Sequence, residues 1–340
     1  MFIDRLPAVL MLGIGLSLLL AVAALRTPRQ TQPAPLSTDS LALTSSPPIT
    51  NVPDDPVPAL AYYYIWFDPT SWDRAKKDFP LVGRYSSDDA DVMRQHVRWA
   101  KAAGIDGFIV SWKSNDKLNH RLDQLVEIAD EENFKLAIIY ESLDFRRNPL
   151  PLNQVGSDLT YFAMHYSRQP AFDLFDKPLV IWSGTWEFSA DEVRQVTENM
   201  RERLLILASE KNLDGYQRLS AFVDGDAYYW SSVNPNTQSG YSDKLTAMGA
   251  AIHQNKGMWI APAAPGFDAR LIGGNSVVER KDGETLRTEL RVALQSLPDA
   301  IGLISWNEFS ENSHIEPSQN YGDVYLKTLA DTRLAIPSSK

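Results

Sequence analysis

The feature that most constrains this chain is a regular alternation, from Leu60 onward, of short apolar runs with longer amphipathic stretches. The runs are Leu60–Phe67, Gly107–Trp112, Lys135–Glu141, Pro178–Ser183, Leu219–Asp224, Met258–Ala263 and Gly302–Trp306. Helical patterns lie between them near Asp88–Ala103, Asn119–Glu132, Ser157–Ser167, Ala190–Lys211, Tyr241–Gln254 and Gly283–Leu297, with a last one around Tyr321–Leu334. Parallel strands need long crossovers, so strand–helix alternation is the mark of βα units around a parallel sheet. Seven strands are clear, and the eighth is either Ala227–Trp230 or a degenerate segment. An open doubly wound sheet is the alternative, but no Gly-x-Gly-x-x-Gly turn follows an early strand. The pattern predicts an α/β fold, a (β/α)8 TIM barrel forming one catalytic domain over residues 59–340, close to the roughly 250 residues typical of that fold.

The strand ends say where the chemistry lies. Each run is aliphatic in its body and closes on aromatic or polar residues: Trp66-Phe67-Asp68, Ser111-Trp112-Lys113, Tyr140-Glu141, Trp182-Ser183, Asp224-Gly225-Asp226, Phe267-Asp268 after the Met258 run, and Trp306-Asn307-Glu308. In a barrel those ends meet at the C-terminal face, where the active sites of this fold sit. Glu308 ends the last strand and Glu311 follows three residues later, so one turn directs both into the same cavity. Two carboxyls in unlike environments suit hydrolysis of a glycosidic bond, which needs a proton donor and a second group that supplies or assists a nucleophile. A solvated acidic loop is the bland alternative, and the strand-end position argues against it. The expected catalytic residues are Glu308 and Glu311. Trp66, Trp112, Tyr140, Glu141, Asp226, Phe267, Asp268 and Asn307 are the expected substrate-binding residues, with Asn307 either on a sugar hydroxyl or holding Glu308 in place. Glu141 has a structural alternative, an ion pair with Arg146 or Arg147, and Asp224 is either a ligand or a turn residue. Lys113 and Arg270 are read as partners for an acid or as sugar contacts. Only His314 of the five histidines lies near the carboxylates, and their scatter gives no metal-like spacing.

Ahead of the barrel stand two segments of different character. Leu6–Leu25 is an uncharged run about as long as a membrane-spanning helix requires, flanked by Arg5 and by Arg26 and Arg29. Residues 1–26 are therefore read as a single-pass anchor or, given Ala21-Val22-Ala23, a cleaved signal peptide; either places the domain outside the cytoplasm. Residues 27–58, rich in Pro, Ser and Thr, read as a disordered stalk. The formal net charge of −10 argues against nucleic acid or anionic lipid as partner and is compatible with a neutral glycan; a monomer touching the membrane only through its N-terminal helix is expected. With no cysteine, thiol nucleophiles and thiolate metal sites are excluded.

Several of these stretches resemble the glycoside hydrolase family 99 group of endo-α-mannosidases and endo-α-mannanases, with the family 71 α-1,3-glucanases further off. They are Tyr63-Tyr64-Ile65-Trp66-Phe67, the strand Gly104–Trp112, Ala261-Pro262 through Pro265-Gly266-Phe267-Asp268 and Arg270, and Trp306-Asn307-Glu308 to Ile315-Glu316-Pro317. The last is similar to the family's Asn-Glu-Trp-x-Glu-Gly-Thr-x-Ile-Glu-Pro, with Phe309, Asn312, Ser313 and His314 as departures. The resemblance implies metal-independent, cofactor-free, retaining, endo-acting cleavage of an α-linked oligo- or polysaccharide. The residue matching Glu308 would take a proton from the sugar's own 2-hydroxyl to give a 1,2-anhydro sugar, and the one matching Glu311 would act as acid and then base. An α-1,3-glucanase-like hydrolase and a non-catalytic polysaccharide-binding barrel are the competing readings.

Overall fold

The computed structural model describes residues 57–334; the Leu6–Leu25 run and the proline-rich segment up to Pro56 lie outside the described residues. Eight parallel strands close into a barrel in the order β1, β10, β7, β6, β5, β4, β3, β2. They are β1 (Ala59–Tyr64), β2 (Gly107–Trp112), β3 (Lys135–Glu141), β4 (Leu179–Ser183), β5 (Leu205–Ala208), β6 (Gly225–Ala227), β7 (Met258–Ala263) and β10 (Ala300–Leu303), while β8 (Phe267–Asp268) and β9 (Val277–Val278) form a small antiparallel ribbon. The helices between them are α1 (Ala90–Ala102), α2 (Asp116–Glu132), α3 (Leu152–His165), α4 (Ala190–Thr197), α5 (Leu213–Leu219), α6 (Tyr241–Gln254), α7 (Glu284–Gln295) and α8 (Val324–Leu334). Among the described residues no helix is long and apolar enough to cross a membrane.

The period-2 geometry of a strand sorts side chains into two cores. Leu60, Tyr62, Ile109, Ile139, Ile181, Leu207 and Ile260 fill the barrel interior. Their chain neighbours Ala61, Tyr63, Phe108, Val110, Ile138, Val180, Trp182 and Ile206 pack outward against the helices. Local signals start the helices: the Asn115 side chain accepts from the Leu118 amide, and Ser189 and Glu192 form a reciprocal capping box before α4. Gly225 opens β6 at φ +153°, where an added Cβ would lie 2.0 Å from the Met258 carbonyl oxygen, so the close approach of β6 to β7 requires glycine.

Two of the expected elements are corrected. The pattern Ala190–Lys211 contains a short helix and then β5 at Leu205–Ala208. A continuous apolar run such as Leu204-Leu205-Ile206-Leu207-Ala208 has no periodicity to tell a buried strand from a buried helix. Leu219–Asp224 is not a strand: Leu219 ends α5, and the sixth strand comes after it at Gly225–Ala227, touching the proposed eighth segment at Ala227. Asp224 thereby moves to the opposite, N-terminal end of the barrel. There it accepts from the Ile206 amide at 2.9 Å and pairs with Arg201 at 2.8 Å, which is a structural role.

Candidate active site

The chain leaving β10 is folded back into the mouth of the barrel, and residues 301–318 are buried apart from the half-buried Ser310. Backbone groups pin it at both ends. The Trp306 amide donates to the Tyr62 carbonyl at 2.8 Å, that of Ser305 to the Ser313 carbonyl at 2.9 Å, and that of Glu316 to the Trp306 carbonyl at 2.8 Å. Arg280, itself buried, lies over the Tyr321 and Tyr325 rings and donates to the carbonyls of Asn312 and His314. Asn307 is fully buried, so the positioning role is the one it has: its amide oxygen accepts from the Tyr64 amide at 2.8 Å and its nitrogen donates to the Tyr64 carbonyl and the Tyr85 hydroxyl. Tyr85 in turn donates to Glu316, which also meets His96 at 3.1 Å. These contacts hold the backbone on either side of Glu308 with little freedom.

Glu308 and Glu311 come to the same place, both almost wholly buried and each sensing the other's charge. Burial raises the Glu308 carboxyl, opposed by the Ser310 amide that donates to it at 2.9 Å and by nearby Lys76. Burial and then the Glu308 charge push the Glu311 carboxyl up to about 8, with Arg147 pulling the other way. The two carboxyls therefore sit in unlike environments: both are raised by burial, Glu311 further by its neighbour's charge, whereas Glu308 has hydrogen-bond donors on it. Tyr64 and Tyr229 join hydroxyl to hydroxyl within electrostatic reach of both carboxyls, and Trp66 stacks on Tyr64 at 4.3 Å with its outer part exposed.

A raised carboxyl also bears on stability. Folded Glu311 keeps a proton that the unfolded chain releases near pH 4.5, so its contribution is fully present below that pH and is lost as pH rises through about 8. Glu311→Gln should therefore raise the melting temperature relative to the parent, slightly at pH 4 and increasingly toward about pH 8. Melting both proteins across that range checks it; a difference independent of pH would contradict the assignment.

The other sequence-predicted residues divide. Glu141 points into the mouth, accepts from the Ser111 hydroxyl at 2.9 Å, and is raised by burial, with Arg147 and Lys113 acting against that; it makes no ion pair with Arg146 or Arg147. Trp66 is at the rim. Trp112 and Tyr140 are corrected: both are fully buried on the outward face, Trp112 donating to Asn119 and Tyr140 to Asp158. Strand parity explains it, since Ser111 and Glu141 take the inward positions next to them. Phe267 is buried in a satellite cluster with Ala269 and Val278, not presented as a stacking face. Asp268 pairs with Arg270 at 2.6 Å and Lys77 at 2.9 Å, which hold its carboxyl well below the usual range, while its amide donates to the Glu311 carbonyl at 2.7 Å. It braces the segment that carries Glu308 and Glu311 rather than facing the mouth. Asp226 is fully buried and accepts from the Glu210 amide at 2.9 Å. His314 stacks on Phe309 and meets Asp78, and burial lowers it to about 4, so it is neutral.

Tyr229 escaped the sequence reading. It lies just past the three-residue β6, inside the Ala227–Trp230 segment considered for the eighth strand, and its aromatic character at a strand end was the available signal. Among the described residues no group of three or more His, Asp or Glu side chains is arranged to hold a metal ion.

Residues 68–328 match the family model for glycosyl hydrolase family 99. The chain is 22% identical over 278 residues to a glycoprotein endo-alpha-1,2-mannosidase of Mus musculus, covering 73% of this chain and 59% of that protein. It is 26% identical over 249 residues to a mutanase of Penicillium rubens, covering 70% of this chain and 52% of that one. This chain thus spans little more than half the length of these curated relatives. The fold matches the solved family 99 endo-alpha-mannosidase of Bacteroides thetaiotaomicron with a TM-score of 0.72 at 21% identity, over 81% of this chain and 96% of that one.

Proposed function

Because the chain belongs to glycosyl hydrolase family 99, we propose that it cleaves internal bonds of an α-linked, mannan-like glycan with retention of configuration, using Glu308 and Glu311. The observation that carries this reading is the pair itself. The two buried carboxyls share the barrel mouth in unlike environments, and burial with the neighbouring charge pushes one of them up to about 8. Glu311 acts as the acid on the departing oxygen and then as the base toward water. Glu308 accepts the proton of the sugar's 2-hydroxyl, whose oxygen attacks C1 as the bond to the leaving oxygen breaks; water, giving its proton to Glu311, then attacks C1 and opens the resulting 1,2-anhydro ring as Glu308 returns its proton to the 2-oxygen. Substrate-assisted routes of this kind are a recognised departure from the nucleophilic carboxylate pair. The likeness to the endo-alpha-1,2-mannosidases supports a mannan, and the likeness to a mutanase supports a second specificity, an α-glucan. Incubation with a panel of α-mannans and α-glucans, read by mass spectrometry of the products, separates the two. Release of internal fragments from neither would overturn the proposal.

We further place the domain outside the cytoplasm on the strength of the uncharged Leu6–Leu25 run and set its boundary at Val57. The Pro58 carbonyl accepts from the Ile301 amide at 2.8 Å, so the ordered barrel starts before the first strand residue. Deletion of residues 1–56 is expected to leave a folded domain with unchanged turnover, and cell fractionation should move with it from the envelope to the cytosol. An insoluble truncation would show that the boundary is wrong, and full-length protein in the cytosol would overturn the placement.

A further inference from the structure

The mouth of the barrel carries cations that the hydrolytic chemistry does not use. Lys113 follows β2, Arg147 lies in the loop after β3, and Lys211 follows β5. With β4 between them, these strands are consecutive around the barrel, so the three side chains occupy one sector of the C-terminal face. Lys113 Nζ stands 6.0 Å from the centroid of the Phe145 ring and Lys211 Nζ 4.2 Å from that of Trp186, which holds each ammonium group in place at low entropic cost. Arg147 lies within electrostatic reach of Glu141, Glu311 and Lys211, its backbone in the left-handed region at φ +68°. Among the described residues none of the three cationic groups makes a hydrogen bond or an ion pair. Other basic side chains of this face are paired, Arg218 with Glu210 and Arg270 with Asp268.

The acids facing the sector are Glu141 and Glu311, with Asp158 toward Lys113 and with Glu187 and the Arg218-paired Glu210 toward Lys211. Glu141 and Glu311 are both driven toward the protonated form by burial, and Glu311 must carry its proton to act as the acid. Among the described residues none of these acids forms an ion pair with the three cations, in a chain whose formal net charge is −10. Phe145, 79% exposed, adds an apolar face beside them of the kind on which a sugar ring stacks. A neutral glycan offers these groups only hydroxyl oxygens, whereas an anionic group accepts stronger, charge-assisted hydrogen bonds from them.

Resting on the hydrolase reading above, we propose that this sector is a subsite for an anionic substituent of the glycan, a uronic carboxylate or a phosphate ester, and that Lys113, Arg147 and Lys211 determine specificity for it. Calorimetry on the full chain with three probes tests it: a neutral mannan oligosaccharide, the same oligosaccharide carrying a phosphate ester, and one carrying a uronic acid. At least one anionic probe should bind about tenfold or more tightly than the neutral one, with the advantage shrinking as salt rises from about 0.05 to 0.5 M. The stronger of the two identifies the group. The advantage should vanish in the Lys113→Gln, Lys211→Gln double variant and survive in Lys113→Arg, Lys211→Arg. Equal or weaker binding of both anionic probes, or an advantage that persists in the double Gln variant, overturns the inference. Hydrolysis measured on the same probes is scored separately. Cleavage of any of them supports the hydrolase reading whatever the charge preference, and anionic preference without cleavage of any would overturn that reading alone.

Discussion

Replacing Glu311 with Gln should lower turnover of an unactivated α-mannan by about 10²–10⁴-fold, the range that a positioned proton donor contributes. An aryl or fluoride leaving group departs without help, so the same variant should lose far less on such a substrate. The basis is structural: Glu311 is buried beside Glu308, and its proton is retained to about pH 8. Gln keeps the shape and the hydrogen-bonding capacity of the neutral acid but has no proton to give. The parent's rate should also fall as pH rises past about 8, because the ionised Glu311 is no longer an acid, and the variant should lack that alkaline limb. Steady-state rates on both substrates across pH decide it. Equal losses on activated and unactivated substrates would remove Glu311 from the role of acid.

Glu308→Gln should behave differently. Its loss on the order of 10²-fold or more should appear with both kinds of leaving group, because help to the attacking 2-hydroxyl is needed whatever departs. The surroundings of Glu308 are consistent with a base: the Ser310 amide donates to its carboxylate, Lys76 is nearby, and Asn307 ties the adjacent backbone to β1. Binding of the intact glycan should persist in both variants, since neither change opens a cavity. If both variants turn over polysaccharide within a few-fold of the parent, about 1 kcal/mol or less of barrier, the pair is not catalytic and a polysaccharide-binding barrel replaces it.

The nearness of the two carboxyls was legible in the sequence because two signals coincided: an apolar run that stops just before Glu308, and a spacing that brings Glu311 round to it; the strand itself closes earlier, at Leu303, and Glu308 lies in the segment folded back over the mouth. The barrel was legible from the alternation alone, and the missed strand at Leu205–Ala208 did not alter the topology. What could not be read was the parity of the strand ends. Trp112 and Tyr140 are each one position away from an inward-facing residue, and a shift of one residue turns a sugar platform into a helix-facing anchor. Asp268 and Asn307 lie near the mouth, and Arg270 was among the expected partners for an acid, but Lys77 beside Asp268 and the Tyr64 backbone beside Asn307 become visible only once the chain is folded. Tyr229 was obscured because a three-residue strand leaves too short a run to register, and because the apolar Leu219–Val223 stretch before it imitated the strand. The Arg147 loop carried no periodic signal, so its nearness to Glu141 and Glu311 emerged only from the fold.

The claim that matters most is that Glu308 and Glu311 hydrolyse an α-glycoside with retention, and proton NMR of the anomeric signals during cleavage of an α-mannan oligosaccharide tests it most directly. The signal of the newly formed reducing end should appear first as the α-anomer and only later equilibrate, and neither Glu308→Gln nor Glu311→Gln should produce it at a comparable rate. A β-anomer appearing first, or no new reducing end with the parent protein on any α-linked substrate, would contradict the account.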